Sequence, residues 1–227
     1  MRGSMFIVVL SPRRLDVKKE KGKWKMRTIK KQELLEILQL HMLWLRDEKG
    51  GVRANLRYAD LRYANLQNAD LRNADLVYAD LRYTDLRNAN LRYANLGNAD
   101  LRYANLGNAD LVYADLQNAD LRYADLRYAD LRYANLQNAD LRYADLQNAV
   151  GQNNWIKTLG SEIWSITYTF DRMQIGCENH LITDWWQFDE ERISRMNSGA
   201  LDFWKRWKPI LQEIIKNNPA QATGKEN

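Results

Sequence analysis

The chain has 227 residues, 45% of them hydrophobic, and a formal net charge of +5. This length and apolar content allow one or two domains with a buried core. The single cysteine excludes an intrachain disulfide and favours a reducing cytoplasm over secretion. The longest apolar run near the start, residues 6–10, is too short for a membrane span or a signal-peptide core, so we expect no membrane association.

The basic charge is concentrated at the start of the chain, where residues 1–25 carry 8 Lys and Arg against 2 Asp and Glu. The rest of the chain is nearly neutral, which argues against nucleic acid as its partner. The opening letters MRGS resemble an expression-vector start, and Met26 could be the natural initiator. We interpret residues 1–25 as a leader that is disordered or vector-derived, with a nucleic-acid-binding arm as the alternative.

An amphipathic helix is predicted over residues 28–46, because apolar side chains recur there at helical spacing. Those side chains are Leu34, Leu38, Met42 and Leu45. Thr28 can cap the helix at its start, and Gly50 and Gly51 can end it.

A five-residue frame, A-(D/N)-L-X-(Y/N), runs without interruption over residues 54–148 and gives 19 copies. The centre is always Leu, the first position is Ala except at Thr84, and the last is Tyr in 11 copies and Asn in 8. A step of five spirals around a helix and alternates across a strand, so neither structure gathers the leucines on one side. The chain must turn once per repeat, which predicts a solenoid with Leu and Ala inside.

Residues that stack in neighbouring coils tend to look alike, and the sequence shows which residues these are. Taken every fourth pentapeptide, the copies that begin at Ala59, Ala79, Ala99, Ala119 and Ala139 are all ADLRY. We infer four pentapeptides per coil, a square cross-section and about five coils. We call these five ADLRY copies the uniform face. Its outward columns are the arginines Arg62, Arg82, Arg102, Arg122 and Arg142 and the tyrosines Tyr63, Tyr83, Tyr103, Tyr123 and Tyr143.

The repeated motif resembles that of the pentapeptide-repeat proteins. The resemblance covers the 95 residues of the 19 copies and implies an all-β solenoid, the right-handed quadrilateral β-helix of that family, over residues 54–149. Open solenoid ends expose core leucines and strand edges, so each end needs a cap. We therefore interpret residues 26–53 as an α-helical N-terminal cap, with a partner-binding helix as the alternative.

The composition changes after the repeats, where six of the eight tryptophans lie between Trp155 and Trp207. The segments EIWSITYTF and MQI predict a β-hairpin, Asp189 can start a short helix, and Ser198 can start another that runs towards Lys216. Pro209 should kink that second helix or begin a separate one. We interpret residues 150–216 as an α+β C-terminal cap and residues 217–227 as a disordered tail.

The last predicted helix carries an apolar stripe that includes Trp204, Trp207 and Leu211. Such a stripe is either the core of the cap or a seam that joins two copies of the chain, so the protein is a monomer or a homodimer through this region. The segments IGCENH, TDWW and ALDFWKRWKPIL also resemble the C-terminal ends of phage-encoded pentapeptide-repeat proteins.

No enzyme chemistry is predicted. Cys177 and His180 lie three residues apart and His41 is the other histidine, which is too few ligands for zinc, and no Gly-rich phosphate loop is present. We expect no catalytic residue, no metal and no cofactor.

Three non-enzymatic functions remain. The first is a scaffold that binds an unidentified protein partner through the Arg and Tyr columns of the uniform face. The second is a DNA mimic that modulates a type II topoisomerase, which the resemblance implies for some family members but which requires a strongly negative surface. The third is direct nucleic-acid binding, in which tyrosines stack on bases. The repeats carry 11 Arg against 13 Asp, which favours the first.

Overall fold

The computed structural model describes residues 19–20, 23–24, 26–151, 155–159, 161 and 163–222. In the predicted leader, β1 (Lys19–Glu20) and β2 (Lys23–Trp24) form an antiparallel pair. These four residues are therefore ordered, which differs from the expectation of a disordered leader. The remainder of the leader lies outside the described residues.

The repeats form a ladder of parallel β-bridges between residues that are 20 positions apart, from Asn55 with Asp75 to Asp130 with Val150. Each rung of the ladder is held by two backbone hydrogen bonds. The N–H of Asp140 donates to the carbonyl of Ala119 at 2.9 Å, and the carbonyl of Asp140 accepts from the N–H of Leu121 at 2.8 Å. Four pentapeptides therefore separate paired residues, which is the spacing inferred from the ADLRY copies.

The turn at each corner explains the fifth position of the repeat. Every Tyr or Asn at that position has a positive φ, between +55° and +62°. The N–H of the next Ala donates to the carbonyl of the preceding Leu, as Ala64 does to Leu61 at 3.0 Å. A hydrogen bond across four residues with a positive φ at the third is typical of a type II turn.

The core is a column of leucine and alanine. Of the 19 repeat leucines, 18 are buried, and the exception is Leu141 in the last coil, which is half-buried. Thr84 replaces Ala in this column and is 1% exposed, and its hydroxyl donates to the carbonyl of Leu61 at 2.9 Å. The small first residue of each repeat therefore lies where the backbone and the core meet.

At the N-terminal end, β3 (Arg27–Thr28) pairs in parallel with β4 (Ala59–Asp60), and α1 (Lys31–Leu45) follows. The expectation that Thr28 caps the helix is wrong, because Thr28 lies in β3, and Lys30 precedes the helix without a side-chain cap. The helix also ends before Gly50 and Gly51.

The helix α1 packs on the first coil with a face that shares Leu34 and Leu38 with the predicted stripe and adds Ile37 and His41. Leu34, Ile37 and Leu38 contact the repeat core, and His41 is fully buried. The Nδ1 atom of His41 accepts a hydrogen bond from the N–H of Ala54 at 3.1 Å, and burial lowers the pKa of the imidazole. His41 thus joins the helix to the start of the repeats.

The C-terminal region is a four-stranded antiparallel meander with three helices, where the sequence predicted a hairpin and two helices. The strands are β5 (Lys157–Leu159), β6 (Ile166–Tyr168), β7 (Arg172–Ile175) and β8 (Glu178–Leu181). The helices are α2 (Ile182–Gln187), α3 (Glu190–Met196) and α4 (Ala200–Asn217). As predicted, Asp189 caps α3, because its side chain accepts from the N–H of Arg192.

Two further expectations for this region need correction. Pro209 lies inside a continuous α4, so it does not begin a separate helix, and a kink at Pro209 stays a prediction. The start of the predicted tail is ordered: Asn217 ends α4, Ala220 is 4% exposed, and the Tyr168 hydroxyl donates to the carbonyl of Asn218 at 2.9 Å. Residues 223–227 lie outside the described residues.

One face of the meander closes the last coil with side chains instead of a further strand. The register places Thr158, Thr167, Gln174 and Asn179 in one row across the four strands. Gln174 accepts from the N–H of Leu146 at 2.8 Å, Asn179 donates to the carbonyl of Ala144 at 3.1 Å, and Thr158 donates to the carbonyl of Ala149 at 2.8 Å. The helices cover the opposite face of the sheet, where Ile166, Tyr168 and Met173 are buried.

Replacing a buried leucine in the middle of the rod should lower its stability more than replacing the half-buried leucine of the last coil. We expect Leu101→Ala to lower the free energy of unfolding by about 2–5 kcal/mol, because it opens a cavity in a fully packed layer. Leu141→Ala removes the same atoms from a half-buried site and should cost less than about 2 kcal/mol. Urea denaturation followed by circular dichroism compares the two, and equal losses would contradict the packing described.

Gln174→Ala should destabilise the cap, because it leaves the Leu146 N–H and the Asp145 carboxylate without this partner, at a cost of about 1–3 kcal/mol. Thr167→Val is the matched control. Thr167 lies in the same polar row, but its hydroxyl has no hydrogen-bond partner, so this change should alter stability by less than about 0.5 kcal/mol. A larger loss for Thr167→Val than for Gln174→Ala in the same urea assay would refute this account of the cap.

Candidate interaction surface

The five tyrosines of the uniform face form one stacked ladder. Neighbouring rings lie 4.9–5.1 Å apart between centroids, with interplanar angles of 2–7°. Each side chain is exposed, from 46% at Tyr103 and Tyr123 to 73% at Tyr63. Because the spacing between coils fixes the spacing between rings, the ladder is held rigid by the rod beneath it. We call Tyr63, Tyr83, Tyr103, Tyr123 and Tyr143 the tyrosine ladder.

The arginines beside the ladder are already paired. Arg102 donates from Nε and Nη2 to the two carboxylate oxygens of Asp100, at 2.8 and 2.7 Å, and its Nε lies 3.5 Å from Asp120 of the next coil. Arg62, Arg82 and Arg122 repeat both contacts, and Arg142 repeats the contact within its own pentapeptide. The Arg column therefore neutralises the Asp column.

The same pairing extends to every arginine of the repeats, by a simple rule. Where the second residue of the pentapeptide is Asp, the Arg two positions later pairs with it. Where it is Asn, the Arg reaches an Asp in the next coil, as Arg57 does to Asp75 at 3.2 Å and Arg92 to Asp110 at 3.4 Å. All 11 repeat arginines lie in such a pair, so none offers a guanidinium that lacks a carboxylate.

These pairs are accompanied by lowered pKa values of several carboxylates. The hydrogen bond from the Arg62 side chain lowers the pKa of Asp60 below its usual value, and Arg87 does the same to Asp85. The pKa of Asp120 is also lowered, although burial opposes the effect of Arg122 there. The rod therefore presents a finely alternating but nearly neutral surface at physiological pH.

Shorter tyrosine stacks occur on two other faces. Tyr93, Tyr113 and Tyr133 form a stack of three rings, and Tyr58 and Tyr78 form a pair. The ladder of five on the uniform face is thus the longest among the described residues. Sequence reasoning placed these side chains outside but missed the left-handed backbone that directs them, which an exclusive choice of Tyr or Asn at every fifth residue could have signalled.

The predicted C-terminal residues lie inside the domain. Trp204 is 5% exposed and Leu211 is 0% exposed, while Trp207 is half-buried and stacks on Phe203. A seam between two chains cannot use side chains that are buried within one chain. Trp204 and Leu211 therefore belong to the core of the C-terminal domain, the first of the two roles that the sequence allowed, and Trp207 packs against that core with part of its side chain exposed. A homodimer through this region stays a prediction.

The remaining polar residues of interest do not assemble into a chemical site. Cys177 is exposed in the turn between β7 and β8, and His180 contacts Glu178 at 2.9 Å between two aromatic rings. Over the described residues, no group of three or more His, Cys, Asp or Glu could hold a metal ion. In the same part of the chain, every helix is too short or too polar to cross a membrane.

The coiled ladder and its repeated turns define a β-helix built from pentapeptides, and comparison with known proteins agrees. The profile of the family described as Pentapeptide repeats matches residues 54–92, 89–127 and 119–150, with 8 copies. No curated protein matches the chain.

Several solved structures are similar in sequence. HetL, a pentapeptide repeat protein involved in heterocyst differentiation regulation from the cyanobacterium Nostoc sp. strain PCC 7120, is 38% identical over 44% of this chain and 48% of its own, with a TM-score of 0.44. Rfr23 from the cyanobacterium Cyanothece 51142 is 40% identical over 41% of this chain and 64% of its own, with a TM-score of 0.40. The alr5209 protein from Nostoc PCC 7120 is 40% identical over 50% of this chain and 77% of its own, with a TM-score of 0.21.

The chain belongs to the pentapeptide repeat family, and its repeats form the right-handed β-helix of that family. It spans about half of HetL and less than two thirds of Rfr23. The phage resemblance of the C-terminal segments stays a prediction.

Acid should destabilise the repeats. Because Asp60 and Asp85 have lowered pKa values in the folded chain, their contribution to stability is present above the unfolded value of about 4 and is lost as the pH falls through the folded values. We expect the melting temperature to fall between about pH 5 and about pH 2. The double variant Arg62→Gln, Arg87→Gln removes both partners and should show a smaller fall in thermal melts. An unchanged fall would show that these pairs do not set the acid response.

Proposed function

We propose that this protein is a non-enzymatic scaffold that binds a protein partner through the uniform face of its rod, with the tyrosine ladder as the main contact. The observation that carries the proposal is the ladder itself, five exposed rings in one continuous stack. Tyrosine is among the residues that contribute most to protein interfaces, because it combines a large apolar ring with a hydroxyl.

The ladder lowers the cost of binding. A free side chain loses rotamer freedom when a partner covers it, at about 0.5–1.5 kcal/mol for each immobilised side chain. Tyr83, Tyr103 and Tyr123 are already held between two rings at about 5 Å, and Tyr63 and Tyr143 each have one such neighbour. Most of that loss has therefore occurred during folding, and a partner meets a surface that is ordered in advance.

The ion pairs indicate what kind of partner fits. Since every repeat arginine is paired with an aspartate, the uniform face offers hydroxyls, ring edges and a nearly neutral charge pattern. A partner surface with apolar and hydrogen-bonding groups suits it better than a strongly charged one. On this proposal the interaction takes place in the cytoplasm, as the single cysteine suggests.

The pairing also weighs against the two alternatives. A DNA mimic needs an excess of negative charge, and a nucleic-acid site needs cations that can release counterions from phosphates. Each repeat arginine instead contacts a carboxylate. No observation in the repeats favours either alternative over a neutral protein contact.

The proposal predicts that a partner depends on the uniform face and not on tyrosines in general. The full chain, the variant Tyr83→Ser, Tyr103→Ser and the matched variant Tyr93→Ser, Tyr113→Ser would each be immobilised and exposed to bacterial lysate, with bound proteins identified by mass spectrometry. We expect a partner that is lost with the first variant and kept with the second, because both remove two stacked rings but from different faces.

Salt gives an independent check on the same capture. Since the contact is aromatic and nearly neutral, binding should persist at about 0.5 M salt, where exposed charges are largely screened. Capture that is equal for the full chain and both variants, or that disappears in salt, would refute the proposed face. Loss of topoisomerase-dependent supercoiling on addition of the purified chain would instead support the DNA mimic.

A further inference from the structure

The last rung of the uniform face has an open backbone edge. In the earlier rungs of this face, the Ala carbonyl and the Leu N–H bond to the next coil, as Ala119 and Leu121 bond to Asp140. Within the part of the chain that the structure describes, neither the carbonyl of Ala139 nor the N–H of Leu141 has a hydrogen-bond partner. The next rung along the chain differs, because Asn179 bonds to Ala144 and Gln174 bonds to Leu146.

A cavity of about 360 Å³ lies beside this edge. Its walls include Leu141 and Leu146 of the last coil and Thr167 and Phe170 of the C-terminal sheet. Leu141 is half-buried, although the other repeat leucines are buried, and Phe170 is 52% exposed. The next leucine of a longer rod would cover Leu141, so the cavity provides apolar space where one more rung would place its core side chain.

The cavity also contains an unsatisfied polar group. Thr167 is 2% exposed and its hydroxyl has no hydrogen-bond partner, although the other three members of its row bond to the last coil. A buried hydroxyl without a partner costs free energy that a bound polar group recovers. Thr167 therefore offers a hydrogen bond to whatever enters.

We propose that the cavity binds an extended peptide segment of another protein, which adds one parallel rung to the uniform face. Its backbone N–H donates to the carbonyl of Ala139, and its carbonyl accepts from the N–H of Leu141, as Asp140 does with the rung before it. The segment that fits has a small residue, then Asp or Asn, then Leu, because this order places the leucine in the cavity against Leu141 and Leu146.

This site is distinct from the tyrosine ladder. It lies at the C-terminal end of the rod and recognises backbone and one aliphatic side chain, while the proposed scaffold function uses exposed rings along the side. The changes at Tyr83 and Tyr103 leave the cavity intact, so either proposal can fail without the other.

The probe is the peptide acetyl-Ala-Asp-Leu-Arg-Tyr-amide, which copies one rung. Two controls are used: the same peptide with a methyl group on the aspartate backbone nitrogen, which cannot donate to Ala139, and a peptide of the same composition in scrambled order. Each is titrated into the full-length, ¹⁵N-labelled chain, and amide exchange with deuterium is followed by NMR at Leu141 and at Leu121, whose N–H is bonded within the ladder.

In the free protein we expect the Leu141 amide to exchange at least about tenfold faster than the Leu121 amide. The rung peptide should slow exchange at Leu141 by at least about tenfold at saturation and leave Leu121 unchanged, while the two controls have no effect. The proposal is overturned if Leu141 is already as protected as Leu121, because the edge is then covered. It is equally overturned if the rung peptide does not slow exchange at Leu141, or if the methylated peptide slows it to the same extent.

Discussion

The structure depends on a corner turn that recurs every five residues. At each corner one residue takes a positive φ, which costs a residue with a side chain about 1–2 kcal/mol. Asparagine tolerates this conformation well, and eight copies use it. The other 11 copies use tyrosine, for which the left-handed region is unusual. Ring stacking between coils, worth about 0.5–1.5 kcal/mol for each pair, offsets part of that cost for the ten tyrosines that stack.

The same turn determines which outward side chains are neighbours on the surface of the rod. Because each coil repeats the path of the one before it, residues 20 apart are neighbours, and a column of like charges would repel at that distance. The repeats avoid this by placing Arg two residues after Asp, where the two side chains form a bidentate pair. The surface is thus assembled from small neutral units, and the exposed rings become its most distinctive feature.

The structure of the repeats could be predicted from the sequence because their contacts are periodic. Residues that stack look alike, so the five ADLRY copies indicated which residues would be neighbours. The structures of the N- and C-terminal regions could not be predicted in this way. Thr28 is a good helix cap in isolation, but pairing with Asp60 places it in a strand, and Pro209 lies within α4, a helix that packs its other side on the aromatic core around Trp204. Such outcomes depend on contacts between distant segments, which local spacing does not record.

A solenoid has no intrinsic stopping point, because every rung leaves the same donors and acceptors for the next. In this chain Thr158, Gln174 and Asn179 replace the backbone of a further coil with side chains, and each supplies the group that a strand would have supplied. Substitution by side chains works rung by rung, so a cap can satisfy one side of the square and leave another open. The open edge at Ala139 and Leu141 therefore selects its ligand by the same pattern that stabilises the rod. Only a segment with a small residue, then a polar one, then an aliphatic one continues the ladder.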